Sequence, residues 1–178
     1  GAGWMTAQAL LDGIRNWVEI ESQTGDLQGL GALADRIAAD YTARGAEVER
    51  VPGRDGHGDH LIARAPWRGE GNTAGILILS HMDTVHPRGT LLRLPFRVEG
   101  DCAYGPGIYD MKGGAYIGME AVAAVAQAGG APLPVTHLFL ADEEVGSPTS
   151  RELIEEMARA AKYVLVTKPA REGRSEEH

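Results

Sequence analysis

Two short apolar runs in this chain are each followed, within four residues, by an acidic residue. The run 75–79 leads into Ser-His-Met-Asp, and the run 135–141 leads into Asp-Glu-Glu. Within them, 76–79 and 138–141 are apolar at every position, which is typical of central strands that helices cover on both faces. Loops that follow neighbouring strands of this kind can meet at one edge of a sheet. The sequence therefore predicts a cluster of acidic side chains at such an edge.

A further acidic position lies in the glycine-rich segment 104–114, which reads Tyr-Gly-Pro-Gly-Ile-Tyr-Asp-Met-Lys-Gly-Gly. Glycine and proline on both sides of Asp110 predict a tightly bent backbone. The apolar spacing over 115–126 predicts a helix directly afterwards. We therefore expect Asp110 on a tight loop at the mouth of a helix, between the other two acidic clusters.

The remaining patterns complete an α/β arrangement. Helical spacing predicts three more helices, over 6–21, 27–44 and 150–161. Short strand-like runs predict three more strands, over 47–51, 60–65 and 163–167, of which the first two form an antiparallel hairpin. The order of the elements predicts an α/β fold, a three-layer sandwich around a mixed, largely parallel sheet, with residues 1–178 as one domain.

Composition narrows the possible functions. The chain has 178 residues, 43% of them hydrophobic, which is enough to bury one sizeable core. Its formal net charge of -8 disfavours a nucleic-acid partner and favours cations. The single Cys102 excludes an internal disulfide and fits a reducing compartment. Since neither a bilayer-length apolar run nor a signal-peptide pattern is present, we expect a cytoplasmic protein without a membrane partner.

His81 and Asp83 are two positions apart, so on an extended backbone their side chains point the same way. The carboxylate of Asp83 could then hold one ring nitrogen of His81 and leave the other for a metal. His-x-Asp by itself is a weak signal, because a histidine at a strand end is more often an ordinary polar residue.

The adjacent carboxylates of Glu143 and Glu144 repel each other unless a cation or a proton compensates them. One could bind a metal while the other takes a proton from water, or the pair could be an acidic turn that caps the next helix. Asp110 could likewise be a turn or cap residue. The occurrence of all these groups together favours a zinc site, in which a shared carboxylate can bridge two ions.

Three segments resemble, in order and in spacing, the N-terminal motifs of the di-zinc exopeptidase family. They are Ser-His-Met-Asp-Thr-Val at 80–85, Gly-Pro-Gly-Ile-Tyr-Asp-Met-Lys-Gly-Gly at 105–114 and Asp-Glu-Glu-Val-Gly-Ser at 142–147. That family includes glutamate carboxypeptidases, aminoacylases, succinyl-diaminopimelate desuccinylases and acetylornithine deacetylases. The likeness runs from the first helix to about Ala170 and leans towards the glutamate carboxypeptidases. It implies the N-terminal part of a zinc-exopeptidase-like catalytic domain; the lid or dimerisation domain, with its homodimer contacts, and the final catalytic segment are absent from 1–178.

The resemblance also implies a role for each site residue. His81 would bind one zinc ion, Asp110 would bridge two, and Glu144 would bind the other. Asp83 would orient His81, and Glu143 would be the general base. The implied activity is that of a carboxypeptidase or deacylase, a metallopeptidase that hydrolyses an amide bond in a small peptide or an N-acyl amino acid. Glu143 would take a proton from zinc-activated water and pass it to the leaving amine.

One departure from the family pattern concerns Lys168, which stands where the family has an acidic zinc ligand. A protonated lysine is no metal ligand, so we expect one zinc ion or none in this chain. Lys168 would lie beside Asp110, where its ammonium could stand in for a zinc ion. Glu172 could reach the site instead if the loop from Pro169 bends back. The resemblance further implies a cis peptide bond between Asp110 and Met111.

Alternatives from other classes stay open. A metal-free or singly metallated domain could keep the fold as a folding or binding module. Nucleotide binding at the glycine-rich loop is disfavoured, since acidic surroundings repel phosphate and the third glycine of that motif is missing. We expect residues 1–178 alone to hydrolyse acylamino acids very slowly or not at all, because the family's substrate clamp is missing. The substrate side chain is left open for the same reason.

Overall fold

The computed structural model describes residues 5–168. The helices are α1 (Ala7–Val18), α2 (Leu27–Ala43), the short α3 (Thr90–Arg93), α4 (Gly113–Gln127) and α5 (Arg151–Ala160). The strands are β1 (Glu47–Val51), β2 (His60–Arg64), β3 (Ile76–His81), β4 (Arg97–Glu99), β5 (Cys102–Tyr104), β6 (Val135–Leu140) and β7 (Tyr163–Val166). Every predicted helix and strand is present within a few residues of its expected bounds. The short elements α3, β4 and β5 were not predicted.

Five strands form one sheet in the order β1-β2-β6-β3-β7, and β4 pairs with β5 in a separate hairpin. The β1–β2 and β2–β6 pairs are antiparallel, whereas β6–β3 and β3–β7 are parallel. Only β2 therefore runs against the other four strands, which confirms the mixed, largely parallel sheet. In the β3–β6 pairing His81 lies opposite Leu140, so the acidic ends of both strands reach the same edge.

Helices cover both faces of this sheet, which confirms the three-layer sandwich. Residues of α1, α2 and α4 share one core cluster with alternate residues of β2 and β6, and the fully buried Trp17, Tyr41 and Phe139 lie within it. The ring centroids of Trp17 and Phe139 are 6.1 Å apart in an edge-on arrangement that is favourable for aromatic pairs. On the other face, α5 packs against a smaller apolar cluster that includes Leu138 and Leu140.

The helix starts follow local chemistry. Thr6 caps α1 by accepting the backbone N–H of Ala9, and Asp26 caps α2 by accepting that of Gly29. Such a cap stabilises a helix by about 1 kcal/mol. Helix α1 ends at Val18, although its pattern predicted a helix to residue 21. The earlier end lets the following loop reach the residue after β3, where Ser22 donates a hydrogen bond to the carbonyl of Met82 at 2.7 Å.

Strand β7 lies at the edge of the sheet in the described part of the chain, and its four side chains are 44–55% exposed. Among residues 5–168, no helix has the length and apolar character needed to cross a membrane. The assignment of 1–178 to one domain stays a prediction.

Candidate metal centre

Three segments that are distant in sequence meet at the edge where β3 and β6 end. His81 is the last residue of β3, and Glu144 lies on the short turn Glu143–Val145 that follows β6. Asp110 lies on the irregular turn that leads into α4. His81, Asp110 and Glu144 each offer one ligand atom, and these atoms all lie within 4.8 Å of one another. The structure thus brings together the three residues that the resemblance named as metal ligands.

His81 is the centre of the contacts in this cluster. Its Nε2 atom lies 2.9 Å from Asp110 Oδ1, 3.5 Å from Glu143 Oε2 and 3.7 Å from Glu144 Oε1. The side chains of His81 and Asp110 are 1% and 4% exposed, whereas that of Glu143 is 41% exposed. Glu143 is therefore the member of the cluster that solvent or a small molecule can reach most readily.

The cluster shifts the proton affinities of its members. Burial opposes the charged form of His81, but hydrogen bonds to Asp110 and Asp83 outweigh it and raise the pKa of His81 to about 10. The hydrogen bond with His81 holds the pKa of Asp110 well below its usual range, despite the opposing effect of burial. Burial, together with the hydrogen bond to Asp110, raises the pKa of Glu144 to about 8. Hydrogen bonds with His81 and Glu144 thus both favour the charged form of Asp110.

Asp83 contacts the ring of His81 through its backbone carbonyl as well as through its carboxylate. The closest acceptor of His81 Nδ1 is the backbone carbonyl of Asp83 at 2.7 Å, and the carboxylate Oδ1 is 3.4 Å away. The carboxylate also accepts the backbone N–H groups of Glu143 and Glu144, at 3.1 and 3.0 Å, and the hydroxyl of Thr24 at 2.7 Å.

The glycine-rich loop has the conformation that its composition predicted. The peptide bond between Asp110 and Met111 is cis, as the resemblance implied. Gly107 has a φ of +76°, and a Cβ atom there would lie 2.6 Å from Thr84 Cγ2. Only glycine fits this position, because the left-handed backbone and the close approach both exclude a side chain.

Lys168 lies beside the cluster, as the resemblance implied. Its Nζ atom is 3.5 Å from Asp110 Oδ1, and its side chain is 27% exposed. Its positive charge contributes to the lowered pKa of Asp110, after the larger contribution of His81. The alternative residue, Glu172, lies outside the described residues.

Three residues support the site although the sequence did not predict this role for them. Thr24 and Lys112 gave no signal, because their partners, Asp83 and the carbonyl of Ile20, are 59 and 92 residues away. Lys112 is buried, and burial lowers its pKa to about 7. Asp142 was visible as part of the acidic cluster, and its carboxylate accepts hydrogen bonds from Thr149 and Ser150 at 2.7 Å. It holds the turn between β6 and α5.

The donor set fits one zinc ion. Zinc prefers imidazole nitrogen and carboxylate oxygen, with bonds of about 2.0–2.2 Å in a tetrahedral arrangement. Ligand atoms that all lie within 4.8 Å of one another are spaced so that one ion could contact all three. Nε2 of His81 is the atom that faces the carboxylates, while Nδ1 is held by the carbonyl of Asp83, and such outer contacts orient a ligating histidine.

The chain belongs to peptidase family M20/M25/M40, whose sequence model matches residues 77–175. This confirms the resemblance stated for the three motifs, and the family is one of peptidases. Among characterised relatives, carboxypeptidase G2 of Pseudomonas sp. (strain RS-16) is 39% identical over 167 residues. That match covers 93% of this chain and 40% of the relative.

Solved structures agree on the fold. Human carnosine dipeptidase 1 aligns with a TM-score of 0.74 at 22% identity, covering 92% of this chain and 39% of that one. An M20 family metallo-carboxypeptidase from Sulfolobus solfataricus aligns with a TM-score of 0.76 at 18% identity. The alignment covers 93% of this chain and 38% of that one. The chain thus spans about two-fifths of the length of these relatives.

Proposed function

We propose that this chain carries the water-activating site of a zinc-dependent amide hydrolase, a carboxypeptidase-like or deacylase-like enzyme acting on small peptides or N-acyl amino acids. The observation that carries the proposal is the convergence of His81, Asp110 and Glu144, whose ligand atoms lie within 4.8 Å of one another, with Glu143 at their open side. The family membership and the 39% identity to carboxypeptidase G2 support it.

His81, Asp110 and Glu144 would hold the metal. A bound zinc ion supplies Lewis acidity, which makes water a better proton donor and polarises a carbonyl group. Asp83 would hold two of the ligands in position. Its carbonyl accepts a hydrogen bond from His81 Nδ1, and its carboxylate accepts one from the backbone N–H of Glu144.

Glu143 would move the proton. Its carboxylate is the most exposed of the cluster, and its backbone N–H is held by Asp83, so the side chain is available at a fixed position on the rim. A carboxylate placed in this way can take a proton from water and then deliver it to the leaving amine. Glu143 is therefore proposed as the general base rather than as a ligand.

The experiment combines zinc binding with hydrolysis. Calorimetric titration with Zn²⁺ should show binding to the 178-residue chain that Glu143→Gln retains. His81→Asn should weaken binding by more than the roughly 10- to 100-fold typical of losing an outer partner. Any release of amine from N-acyl amino acids by the chain should fall about 10²- to 10⁴-fold in Glu143→Gln. Glu155→Gln, an exposed substitution on α5, is the matched control.

Zinc affinity that is unchanged in His81→Asn would contradict the ligand assignment. Hydrolysis that survives in Glu143→Gln would contradict the assignment of the general base.

The second candidate function is that of a binding or folding module that keeps the fold without turnover. It is favoured by the cationic Lys168, which lies 3.5 Å from Asp110. Absence of both zinc binding and hydrolysis in a folded chain would favour that module.

A further inference from the structure

Lys168 is held at the metal centre by the sheet itself. It follows β7, which is parallel to β3, with Leu79 opposite Val166. The backbone N–H of Thr167 donates to the carbonyl of Leu79 at 3.3 Å. Lys168 consequently reaches the same sheet edge as His81, one strand further along. Its position is a consequence of strand register and not of a long side chain reaching in from a distant surface.

A buried hydrogen-bond chain fixes the residue just before Lys168. The hydroxyl of Tyr41 lies 2.5 Å from His137 Nδ1, and His137 Nε2 lies 2.7 Å from Ser80 Oγ. Ser80 Oγ lies in turn 2.7 Å from Thr167 Oγ1. The backbone that presents Lys168 is therefore tied through the sheet to α2 on the covered face.

Thr167 is also clamped from the side of the glycine-rich loop. Its hydroxyl donates to the sulfur of Met111 at 3.2 Å, next to Asp110. Gly114, at the start of α4, lies so close that a Cβ atom there would be 2.0 Å from the Thr167 carbonyl oxygen. These contacts leave the ammonium of Lys168 facing the inner carboxylate of the cluster.

The ammonium and the imidazole share one oxygen atom. Asp110 Oδ1 lies 2.9 Å from His81 Nε2 and 3.5 Å from Lys168 Nζ. The ammonium stays tethered to its strand whether or not His81, Asp110 and Glu144 bind a metal ion. A second divalent ion bridged by Asp110 on the side of Lys168 would meet this positive charge at close range, where like charges repel strongly. Within residues 5–168, the structure contains a single group of three donors that could hold an ion.

We propose, on the basis of the proposed function above, that Lys168 is the built-in second cation of this centre. The centre then binds one divalent ion, and the ammonium neutralises Asp110 where a second ion would otherwise bind. The single ion would be held by His81, Asp110 and Glu144.

The test is the number of zinc ions bound per chain. The purified 178-residue chain and its variants are dialysed against Zn²⁺, and bound zinc is counted by mass spectrometry and by calorimetric titration. We expect one ion per chain for the unaltered protein and two for Lys168→Glu, which exchanges a repelling ammonium for a ligand. Lys168→Gln removes the charge but supplies no carboxylate. It should therefore bind a second ion at least about tenfold more weakly than Lys168→Glu does, since even an outer partner is worth about 10- to 100-fold in metal affinity.

Lys162→Glu is the matched control, because it makes the same change in charge at the opposite end of β7, where its backbone N–H donates to Gly75. It should still bind one ion. Circular dichroism establishes that each variant is folded, and Lys168→Gln serves if Lys168→Glu does not fold.

Two ions in the unaltered chain, or one ion in all the folded variants, would overturn the role of Lys168 while leaving the zinc site of the proposed function intact. No ion in the unaltered chain and none in either Lys168 variant would overturn both proposals. Binding that occurs only in the Lys168 variants would overturn the single-ion centre.

Discussion

The carboxylate of Asp83 accepts the backbone N–H of Glu144 at 3.0 Å, although the two residues are 61 positions apart. The other oxygen of the carboxylate accepts the N–H of Glu143 at 3.1 Å. Asp83 therefore shapes the acidic turn, and through its own carbonyl it also contacts His81. One fully buried side chain couples the end of β3 to the turn after β6.

Replacing Asp83 tests this coupling. Asp83→Ala removes the acceptor of two backbone N–H groups and leaves them in a partly buried turn, so we expect a loss of about 1–3 kcal/mol per unsatisfied group. Zinc affinity should also fall about 10- to 100-fold, as is typical when an outer partner is lost. Urea unfolding with a chelator present and zinc titration measure the two effects separately. Thr24→Val removes a single donor to Asp83 and should cause a smaller loss in both, whereas equal losses would contradict this account.

His137 predicts a dependence of stability on pH. Burial lowers its pKa to about 3, against an ordinary value of 6.5. The unfolded state therefore takes up a proton between these values that the folded state excludes. The contribution of neutral His137 to the free energy of unfolding is fully present above about pH 6.5. It is lost as the pH falls towards 3, with a slope of up to about 1.4 kcal/mol per pH unit.

The measurement is the free energy of unfolding by urea from pH 7.5 to 4.5. His137→Gln lacks the titrating group, so its slope should be smaller, although its hydrogen bonds to Tyr41 and Ser80 are also altered and its stability at pH 7.5 should be lower. Parallel slopes for the two proteins would show that His137 does not control this window. The facing Tyr41 stays neutral, since burial raises its pKa.

Gly114 should not tolerate a side chain. A Cβ atom at this position would lie 2.0 Å from a backbone oxygen of Thr167, so Gly114→Ala must displace Thr167, which directly follows β7, from α4, at a cost of about 1–3 kcal/mol. Gly31→Ala is the control. A Cβ atom there would lie 3.9 Å from its nearest neighbour, the guanidinium of Arg50, and alanine stabilises a helix by up to about 1 kcal/mol relative to glycine. In urea unfolding we expect Gly114→Ala to lower the free energy of unfolding and Gly31→Ala to raise it. Stabilisation by both would mean that α4 and β7 are further apart.

Arg44 and Glu120 form an ion pair whose side chains are 27% and 8% exposed. Arg44→Met leaves a nearly buried carboxylate without its cation, and we expect a loss of about 1–3 kcal/mol. The double variant Arg44→Met, Glu120→Gln should recover part of this loss, because the carboxylate charge is gone. Thermal unfolding of both variants and of the single Glu120→Gln measures the coupling. Strict additivity would indicate that the pair does not interact.

Much of the fold was predictable because its signals are local. The apolar runs of β3 and β6 and the helical spacing of α1 and α2 each depend on neighbouring residues. The elements that were missed, α3, β4 and β5, have three or four residues each, too few to show a periodicity. The predicted end of α1 was wrong because a tertiary contact, from Ser22 to Met82, determines where the helix ends.

The sequence by itself determined which residue types stand at the ends of the central strands, and the resemblance it carries named His81, Asp110 and Glu144 before their proximity was known. Only the tertiary structure decided how they are held. It aims the carboxylate of Asp83 at the acidic turn, brings Thr24 to it across 59 positions, and sets Lys168 3.5 Å from Asp110. These relationships depend on strand order and register, which pair residues distant in sequence, and no local pattern encodes such distances.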